Sequence, residues 1–263
     1  MDLKIKGKKA LITGSTAGIG YAIAELLASE GASVIINGRS TDSVESAIGK
    51  LEQTTQESIM GFVGDLSMSE CSERLSREYP EVEILVNNLG IFEPVPFEDI
   101  TDDDWLRFFE TNVLSGVRLC RIYLPKMKEK NWGRIVFISS ESGIQIPAEM
   151  IHYGMTKTAQ LSISRGLAES VAGTNITVNS ILPGPTKSRG VIDFVDELAT
   201  KEGKSFDEIE KDFFNDVRPT SLIKRFSTPS EVASLVAYIV SPLASATTGA
   251  ALRVDGGVIK SAF

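Results

Sequence analysis

The chain has 263 residues, of which 42% are hydrophobic and 24% charged, and its formal net charge is −8 at pH 7. This length and composition predict a soluble globular protein with a large core, and an acidic chain without a long basic run argues against a nucleic-acid-binding surface. No apolar segment has the pattern of a signal peptide or the length of a bilayer span, so we expect no membrane partner. The two cysteines, Cys71 and Cys120, are expected to be free thiols, which fits a cytoplasmic protein.

Short apolar runs alternate along the chain with longer segments at helical spacing. We predict strands at residues 9–13, 33–37, 59–63, 82–87, 134–139, 176–181 and 251–254. Predicted helices cover residues 19–29, 41–53, 69–79, 112–129, 152–172 and 229–240, with a charged helical region at 191–216. Such alternation predicts an α/β fold, a single-domain, doubly wound parallel sheet with helices on both faces.

A glycine-rich turn, Thr13 to Gly20, joins the first predicted strand to the first predicted helix. Its glycines follow G-x-x-x-G-x-G rather than G-x-G-x-x-G. Glycines let a pyrophosphate approach the backbone, and the helix N-terminus behind them offers free N–H groups and a partial positive charge. The turn could be a simple tight turn, but its position favours a dinucleotide site. The expected cofactor contacts here are Gly14, Ser15, Thr16, Gly18, Ile19 and Gly20.

The end of the second strand bears on cofactor choice. An acidic residue there would bind the adenosine ribose of NAD, but the sequence has Asn37, Gly38 and Arg39 instead. Arg39 could hold a 2′-phosphate by bidentate hydrogen bonds, or it could be a solvated surface residue. The prediction is that NADP(H) is preferred and NAD(H) is possible.

Two more strand ends carry candidate contacts. Asp65, followed by Leu66, could accept a hydrogen bond from adenine, or it could cap the next helix or stabilise a turn. Asn88 and Gly90 follow the fourth strand, where a glycine lets the backbone pass close to a flat ligand. Open α/β sheets bind ligands at such C-terminal strand ends.

Tyr153 and Lys157 lie one turn apart on one face of a predicted helix. A phenol is a poor proton donor or acceptor near neutral pH, but a nearby ammonium favours the phenolate and lowers the pKa. A tuned Tyr153 could exchange a proton with a carbonyl or an alcohol oxygen. Ser140, at the end of the fifth strand, could donate to the developing oxyanion, or it could be a turn residue with neighbours Ser139 and Ser142.

Asn112, near the start of the long helix, could hold a water, polarise a backbone carbonyl near Lys157, or cap the helix. No metal-ligating cluster is evident in the sequence. His152 is the only histidine and no G-x-S-x-G elbow is present, which argues against a His–Ser–Asp hydrolase. We expect His152 to pack or to form a hydrogen bond at the helix start.

This ordered set of residues resembles the short-chain dehydrogenase/reductase family over nearly the full chain. The resemblance implies a seven-stranded Rossmann-type sheet and an Asn–Ser–Tyr–Lys tetrad. In such a tetrad Tyr153 is the acid/base and Ser140 orients the substrate oxygen. Lys157 binds the nicotinamide ribose and lowers the Tyr pKa, while Asn112 supports a proton-relay water. Family membership also implies a homotetramer or homodimer.

The family motifs extend into the last third of the chain. Pro183 and Gly184 are expected cofactor contacts, Thr186 matches a residue that contacts the nicotinamide carboxamide, and residues 254–257 complete the match. Family members carry a substrate lid where this chain has residues 189–218, although a helical hairpin packed on the core or on a neighbouring subunit is the alternative. Its expected apolar side chains are Phe194, Leu198, Phe206, Phe213 and Phe214.

Within the family, the sequence is similar to 3-oxoacyl-[acyl-carrier-protein] reductases and related ketoreductases. Leu89 replaces the usual Ala of an Asn-Asn-Ala-Gly motif, and we expect it to crowd the cofactor floor. Asn131 and Thr174 stand where acyl-carrier-docking reductases often have arginine, which argues against an acyl-carrier substrate.

The predicted function is an NADP(H)-preferring oxidoreductase, with similarity to 3-oxoacyl reductases, that interconverts a small or medium carbonyl compound and a secondary alcohol with Tyr153 as the acid/base. The alternative is a non-catalytic nicotinamide-nucleotide sensor or binding module, which predicts a damaged tetrad. A Rossmann methyltransferase should instead show an acidic residue near the second strand end and has no use for Tyr153 with Lys157.

Overall fold

The computed structural model describes residues 2–262, apart from the side chain of Phe194. Seven strands form one sheet in the order β3-β2-β1-β4-β5-β6-β7, and every pairing is parallel. The strands are β1 Lys9–Ile12, β2 Ser33–Gly38, β3 Ile59–Val63, β4 Ile84–Asn87, β5 Gly133–Ile138, β6 Ile176–Pro183 and β7 Ala251–Val254. The predicted doubly wound parallel sheet is therefore confirmed.

Nine α-helices connect or flank these strands in the described part of the chain. They are α1 Gly18–Ser29, α2 Thr41–Leu51, α3 Ser69–Glu78, α4 Asp102–Phe109, α5 Ser115–Glu129, α6 Ile151–Ser170, α7 Arg189–Glu202, α8 Phe206–Asp212 and α9 Pro229–Ile239. Within residues 2–262, no helix combines the length and apolar character that a bilayer span requires.

Two cores lie on opposite faces of the sheet because successive strand residues point to opposite sides. Ile12 belongs to the core that contains residues of α1, α2 and α9, while its neighbour Leu11 belongs to the core with residues of α3, α5 and α6. Both faces are covered, so the central strands are almost continuously apolar.

The chain builds the sheet outwards from β1 through β2 to β3, and then crosses back to place β4 on the other side of β1. This arrangement leaves a crevice at the C-terminal ends of β1 and β4, where Ile12 pairs with Val86. Ligands of open α/β sheets bind at such a switch point. The candidate site is built around it.

Helix α4 was missed from the sequence, where the long helix was predicted to begin at Asn112. The structure begins this helical segment at a capping box, in which the Thr101 hydroxyl accepts from the Asp104 N–H at 3.2 Å and the Asp104 carboxylate accepts from the Thr101 N–H at 3.3 Å. It then continues through a wider π-helical turn, Glu110–Leu114, into α5. Asn112 therefore lies inside a helical turn and not at a helix end.

The charged region predicted as helical at 191–216 is two helices and not one. Gly203, with a φ of 65°, ends α7, and a capping box between Ser205 and Glu208 begins α8. The two helices share a small apolar cluster of their own with Phe226. Of the apolar residues expected here, Leu198, Phe206, Phe213 and Phe214 pack in this cluster, and the side chain of Phe194 lies outside the described residues.

Candidate active site

The glycine-rich turn forms an open cradle at the end of β1. Gly14 and Gly18 have φ values of 60° and 59°, which favour glycine. A Cβ on Gly20 would lie 2.5 Å from the Asn88 Nδ2 and from the Gly14 carbonyl oxygen. Ala17 precedes α1 and offers no side-chain cap, so the first N–H groups of the helix are left for a ligand. This geometry fits a dinucleotide diphosphate.

Buried side chains hold the cradle from below. The Asn37 amide oxygen accepts from the Gly14 N–H at 3.1 Å, and its Nδ2 donates to the carbonyls of Phe62 and Gly64. The Ser15 hydroxyl donates to the Ile12 carbonyl at 2.7 Å, and the Ser15 N–H donates to the Asn37 carbonyl at 2.9 Å. Both donors of Ser15 are thus used within the protein and shape the turn, while its predicted contact with the cofactor stays a prediction.

The end of β2 carries the exposed side chain of Arg39 beside the cradle. A Cβ on Gly38 would lie 2.5 Å from the Thr16 Cγ2, so glycine lets this strand end approach the turn closely. The amide of Asn37 is occupied by the turn, and no carboxylate stands at residues 37–40. Arg39 is thus the charged side chain at this end of β2, next to the glycine-rich turn.

Asp65 and Leu66 follow β3. The Asp65 Oδ1 accepts from the N–H of Ser67 at 2.9 Å and from its hydroxyl at 2.7 Å, so the predicted turn-stabilising role is present. The side chain of Leu66 is buried in the second core. Any contact of Leu66 with a cofactor would have to come from its backbone.

The loop after β4 is fastened to the cradle. The Asn88 Nδ2 donates to the carbonyls of Thr13 and Gly14 at 2.9 and 3.0 Å, while the Thr13 hydroxyl accepts from the N–H groups of Asn88 and Leu89. The side chain of Leu89 packs against the second core. Its Cδ1 would also lie 3.7 Å from a Cβ on Gly14, so Leu89 reaches the glycine-rich turn, and the expected crowding of the cofactor floor stays a prediction.

Lys157 lies beneath Gly90 at the base of the site. Its Nζ donates to the Ile138 carbonyl at 2.9 Å and lies 5.5 Å from the centroid of the Tyr153 ring. A Cβ on Gly90 would stand 3.4 Å from this Nζ, so the glycine keeps the ammonium within reach of a ligand above it. Burial lowers the pKa of Lys157 to about 8.

The phenol of Tyr153 is strongly affected by burial, which raises its pKa to about 12. Hydrogen bonding to Ser140 lowers the pKa, and the carboxylate of Glu141 raises it further. The predicted lowering by Lys157 is not seen, since desolvation dominates and the ammonium lies over the ring, bonded to a backbone carbonyl. The hydroxyl of Tyr153 is therefore a protonated group at neutral pH in this structure.

The three serines near the end of β5 are now distinguishable. The Ser139 hydroxyl donates to the main-chain carbonyl of Lys157 at 2.9 Å, so its proton is already used in a hydrogen bond to α6. The Ser140 hydroxyl accepts from the Ser142 N–H at 3.1 Å and faces the same cavity as Tyr153. Ser140 is the serine placed to donate to a substrate oxygen.

The side chain of Asn112 is hydrogen-bonded to the loop after β4 and to α6. Its Oδ1 accepts from the Ile91 N–H at 2.8 Å and its Nδ2 donates to the Ile91 carbonyl and the Thr156 hydroxyl, both at 3.0 Å. The main-chain carbonyl of Asn112 accepts from the Gln160 Nε2 at 2.6 Å. One acceptor position of this carbonyl is thus used by Gln160, a residue that the sequence analysis did not single out, and the proton-relay water stays a prediction.

One cavity of about 490 Å³ connects these groups. Its walls include Tyr153, Ser140 and Lys157, the strand end at Pro183 and Gly184, and side chains of α7. Thr186 also lines it, although its hydroxyl donates to the Gly184 carbonyl at 2.8 Å. The residues missed from the sequence are Gln160, Glu141, Glu149, Ser188, Arg189 and Arg218.

A smaller cavity of about 230 Å³ lies directly over the glycine-rich turn. Gly18, Gly20 and Gly90 line it from the sheet side, and Ser188 and Arg189 line it from the start of α7. A Cβ on Gly18 would lie 3.4 Å from the Ser188 Cβ. The glycine-rich cradle is therefore bordered by the sheet on one side and by the helical hairpin on the other.

His152 packs in an aromatic setting, as expected. Its ring centroid lies 4.0 Å from that of Phe108 and 6.0 Å from that of Trp105. Neither ring nitrogen has a hydrogen-bond partner among the described residues, and burial lowers the pKa. A group of His, Cys, Asp or Glu side chains suited to a metal ion is also lacking in the described part of the chain.

Comparisons with known proteins agree with this geometry. A family model described as short chain dehydrogenase matches residues 8–198. The chain is 51% identical over 264 residues to the uncharacterized oxidoreductase YvaG of Bacillus subtilis (strain 168), with 100% of each chain covered. It is 32% identical to the 3-oxoacyl-[acyl-carrier-protein] reductase FabG of Aquifex aeolicus (strain VF5), over 98% of this chain and 100% of that one.

One solved structure has a very similar fold. L-sorbose reductase from Gluconobacter frateurii, complexed with NADPH and L-sorbose, superposes with a TM-score of 0.93 at 31% identity, covering 99% of this chain and 100% of the other.

Proposed function

The chain belongs to the short-chain dehydrogenase/reductase family, and we propose from this that it is an NADP(H)-linked oxidoreductase that interconverts a carbonyl compound and a secondary alcohol. The observation that carries this proposal is that Tyr153, Ser140 and Lys157 meet in one cavity that borders the glycine-rich turn. A proton donor, an oxyanion donor and a dinucleotide cradle are the parts that hydride transfer to a carbonyl requires.

The cofactor, when bound, supplies the hydride that reaches the carbonyl carbon. Gly14, Gly18 and Gly20 with the N-terminus of α1 hold the diphosphate, and Lys157 binds the nicotinamide ribose. Pro183, Gly184 and Thr186 border the nicotinamide. The fit rests on the open cradle and on the position of the Lys157 Nζ beneath Gly90.

Tyr153 gives its proton to the substrate oxygen while the Ser140 hydroxyl donates a second hydrogen bond to the same atom. Burial raises the pKa of Tyr153 to about 12, so its hydroxyl is protonated at neutral pH and is the proton donor for carbonyl reduction. The reverse reaction, alcohol oxidation, requires the phenolate, which burial makes costly.

NADP(H) is the preferred cofactor in this proposal. Arg39 is exposed at the end of β2 with no competing carboxylate, and the structural relative L-sorbose reductase is complexed with NADPH. A guanidinium at this position suits a 2′-phosphate better than a ribose hydroxyl.

We also propose that α7 and α8 form the substrate lid and that the protein is a homo-oligomer. Val191, Val195 and Leu198 of α7 line the cavity, which supports a lid. Exposed apolar side chains such as Leu106 on α4, 63% accessible, support association between copies. The free thiols of Cys71 and Cys120 support a cytoplasmic location.

The test is NADPH oxidation, followed by absorbance, against a panel of ketones, aldehydes, diketones and oxo esters, with NADH in parallel. We expect turnover with NADPH on at least one class and loss of that turnover in Tyr153→Phe. Equal turnover by wild type and Tyr153→Phe would contradict the acid/base assignment. Tight NADPH binding without turnover on the panel would favour a nucleotide sensor.

A further inference from the structure

A cluster of three charged side chains, two of them buried, lies in the cavity beside Tyr153, and the proposed chemistry does not use it. The Arg218 Nε donates to the Glu141 carboxylate at 3.0 Å, and its Nη1 donates to the Glu149 carboxylate at 3.3 Å. All three side chains line the same cavity as Ser140 and Tyr153. One guanidinium is thus shared by two carboxylates next to the reacting position.

The carboxylates of Glu141 and Glu149 neutralise the positive charge of Arg218. Arg218 and Glu141 are only 9% and 3% accessible, and the Glu141 Oε2 has no hydrogen-bond partner among the described residues. Burial raises the pKa of Glu141, and Arg218 opposes this. The Glu149 side chain is 45% accessible and faces the guanidinium from the solvent side. Arg218 therefore has no uncompensated charge to offer a substrate anion.

The other walls of the cavity offer little to an anion. Among the described lining residues, Lys157 is the one other cationic side chain, and its Nζ points to the Ile138 carbonyl under Gly90, on the cofactor side. The remaining wall is largely apolar, formed by side chains such as Phe92, Met150 and Phe213. A carboxylate placed here would lose its hydration and meet Glu149 without a free cation.

We propose that this cavity selects uncharged carbonyl compounds and rejects those with a free carboxylate or phosphate close to the carbonyl, and that the Glu141–Arg218–Glu149 cluster is the specificity determinant. The inference rests on the proposed reductase function and names the substrate class of the same site. It separates this chain from enzymes that recognise small oxo acids through an unpaired arginine or lysine.

The test compares oxo esters with their own free acids, for example ethyl acetoacetate with acetoacetate, because each pair shares the ketone and differs in charge. With NADPH and wild-type protein, we expect kcat/KM for the ester to exceed that for the acid by at least about tenfold, given the interaction of unit charges at several ångströms in a poorly solvated site. Glu149→Gln keeps an acceptor for Arg218 but removes the charge, so the ester-to-acid ratio should fall several-fold.

Glu52→Gln is the matched control, since Glu52 is an exposed acid at the end of α2 and does not line the cavity; its ratio should equal that of wild type. Equal kcat/KM for ester and acid, or an unchanged ratio in Glu149→Gln, would overturn the inference while leaving the reductase function intact. Absence of turnover on every carbonyl of the panel would overturn both proposals together.

Discussion

The side-chain amide of Gln160 donates a hydrogen bond of 2.6 Å to the main-chain carbonyl of Asn112. The amide oxygen of the same Gln160 lies 3.5 Å from the Lys157 Nζ. Gln160 therefore connects the π-helical turn that follows α4 to the ammonium at the base of the site. It lines neither of the two cavities described above, so we interpret it as a positioning residue.

Replacing this glutamine should affect the lysine. Gln160→Leu removes both contacts, and we expect kcat to fall about tenfold with little change in KM for the carbonyl substrate. Gln160→Glu should instead raise the pKa of Lys157 above about 8, because a carboxylate beside an ammonium favours the charged form. The pH profile of kcat measures this shift. A profile identical to wild type in Gln160→Glu would show that the residue is only structural.

The pH dependence of the two reaction directions should differ. Tyr153 stays protonated below about 12, whereas the Lys157 ammonium is lost as the pH rises through about 8. We expect kcat/KM for carbonyl reduction to be level below about pH 8 and to fall above it, and alcohol oxidation to increase with pH. Initial rates in both directions across a pH series test this expectation.

The matched variant is Lys157→Arg, whose guanidinium stays charged throughout. Its residual reduction activity should lose the decline near pH 8. A reduction rate that climbs through pH 8 in the wild type would contradict the assignment.

Arg39 should control cofactor preference. Arg39→Ala removes charge-assisted hydrogen bonds to the 2′-phosphate, so KM for NADPH should rise by about ten- to a hundredfold while KM for NADH stays within about twofold. Steady-state kinetics with both cofactors check this. Arg77→Ala, at an exposed arginine in the last turn of α3, is the control and should leave both values unchanged. Insensitivity of NADPH binding to Arg39→Ala would remove the basis for preferring NADP(H).

His152 should make the fold sensitive to mild acid. Burial lowers its pKa in the folded state, Arg107 adds to the lowering, and Asp104 and Glu93 oppose it. In the unfolded chain the His pKa is near about 6.5, so at mildly acidic pH the unfolded state binds more protons than the folded state. Titration of His152 therefore leaves the free energy of unfolding unchanged above that pH. It lowers this free energy as the pH falls from that value towards the lower pKa of the folded state.

His152→Phe retains packing against Phe108 and removes the proton-binding ring. The free energy of unfolding, measured in urea between about pH 7 and about pH 5, should decline less steeply in the variant than in the wild type. Equal slopes would show that His152 does not contribute to the acid sensitivity.

The sheet and the cofactor cradle could be predicted because their signals are local. Apolar runs such as residues 33–37 mark strands, and Gly14, Gly18 and Gly20 mark a turn that needs glycine. Helix α4 escaped prediction because Asp102, Asp103 and Asp104 mask its periodicity, and because its capping box has aspartate in place of glutamate.

The charged cluster and the altered Tyr153 pKa could not be predicted because both depend on distant contacts. Glu141 and Arg218 are 77 positions apart in the chain and meet only after the helical hairpin has folded over the sheet. The Tyr153–Lys157 spacing correctly brings the two groups together, but the desolvation that raises the Tyr153 pKa to about 12 comes from surrounding structure.

The start of α7 lies over the glycine-rich turn, with Ser188 and Arg189 facing Gly18 across the smaller cavity. In the proposed reductase, a nucleotide in the smaller cavity would lie beneath the hairpin, and a carbonyl compound in the larger cavity would close its way out. We therefore expect ordered binding, in which the dinucleotide binds before the carbonyl compound and leaves after the alcohol.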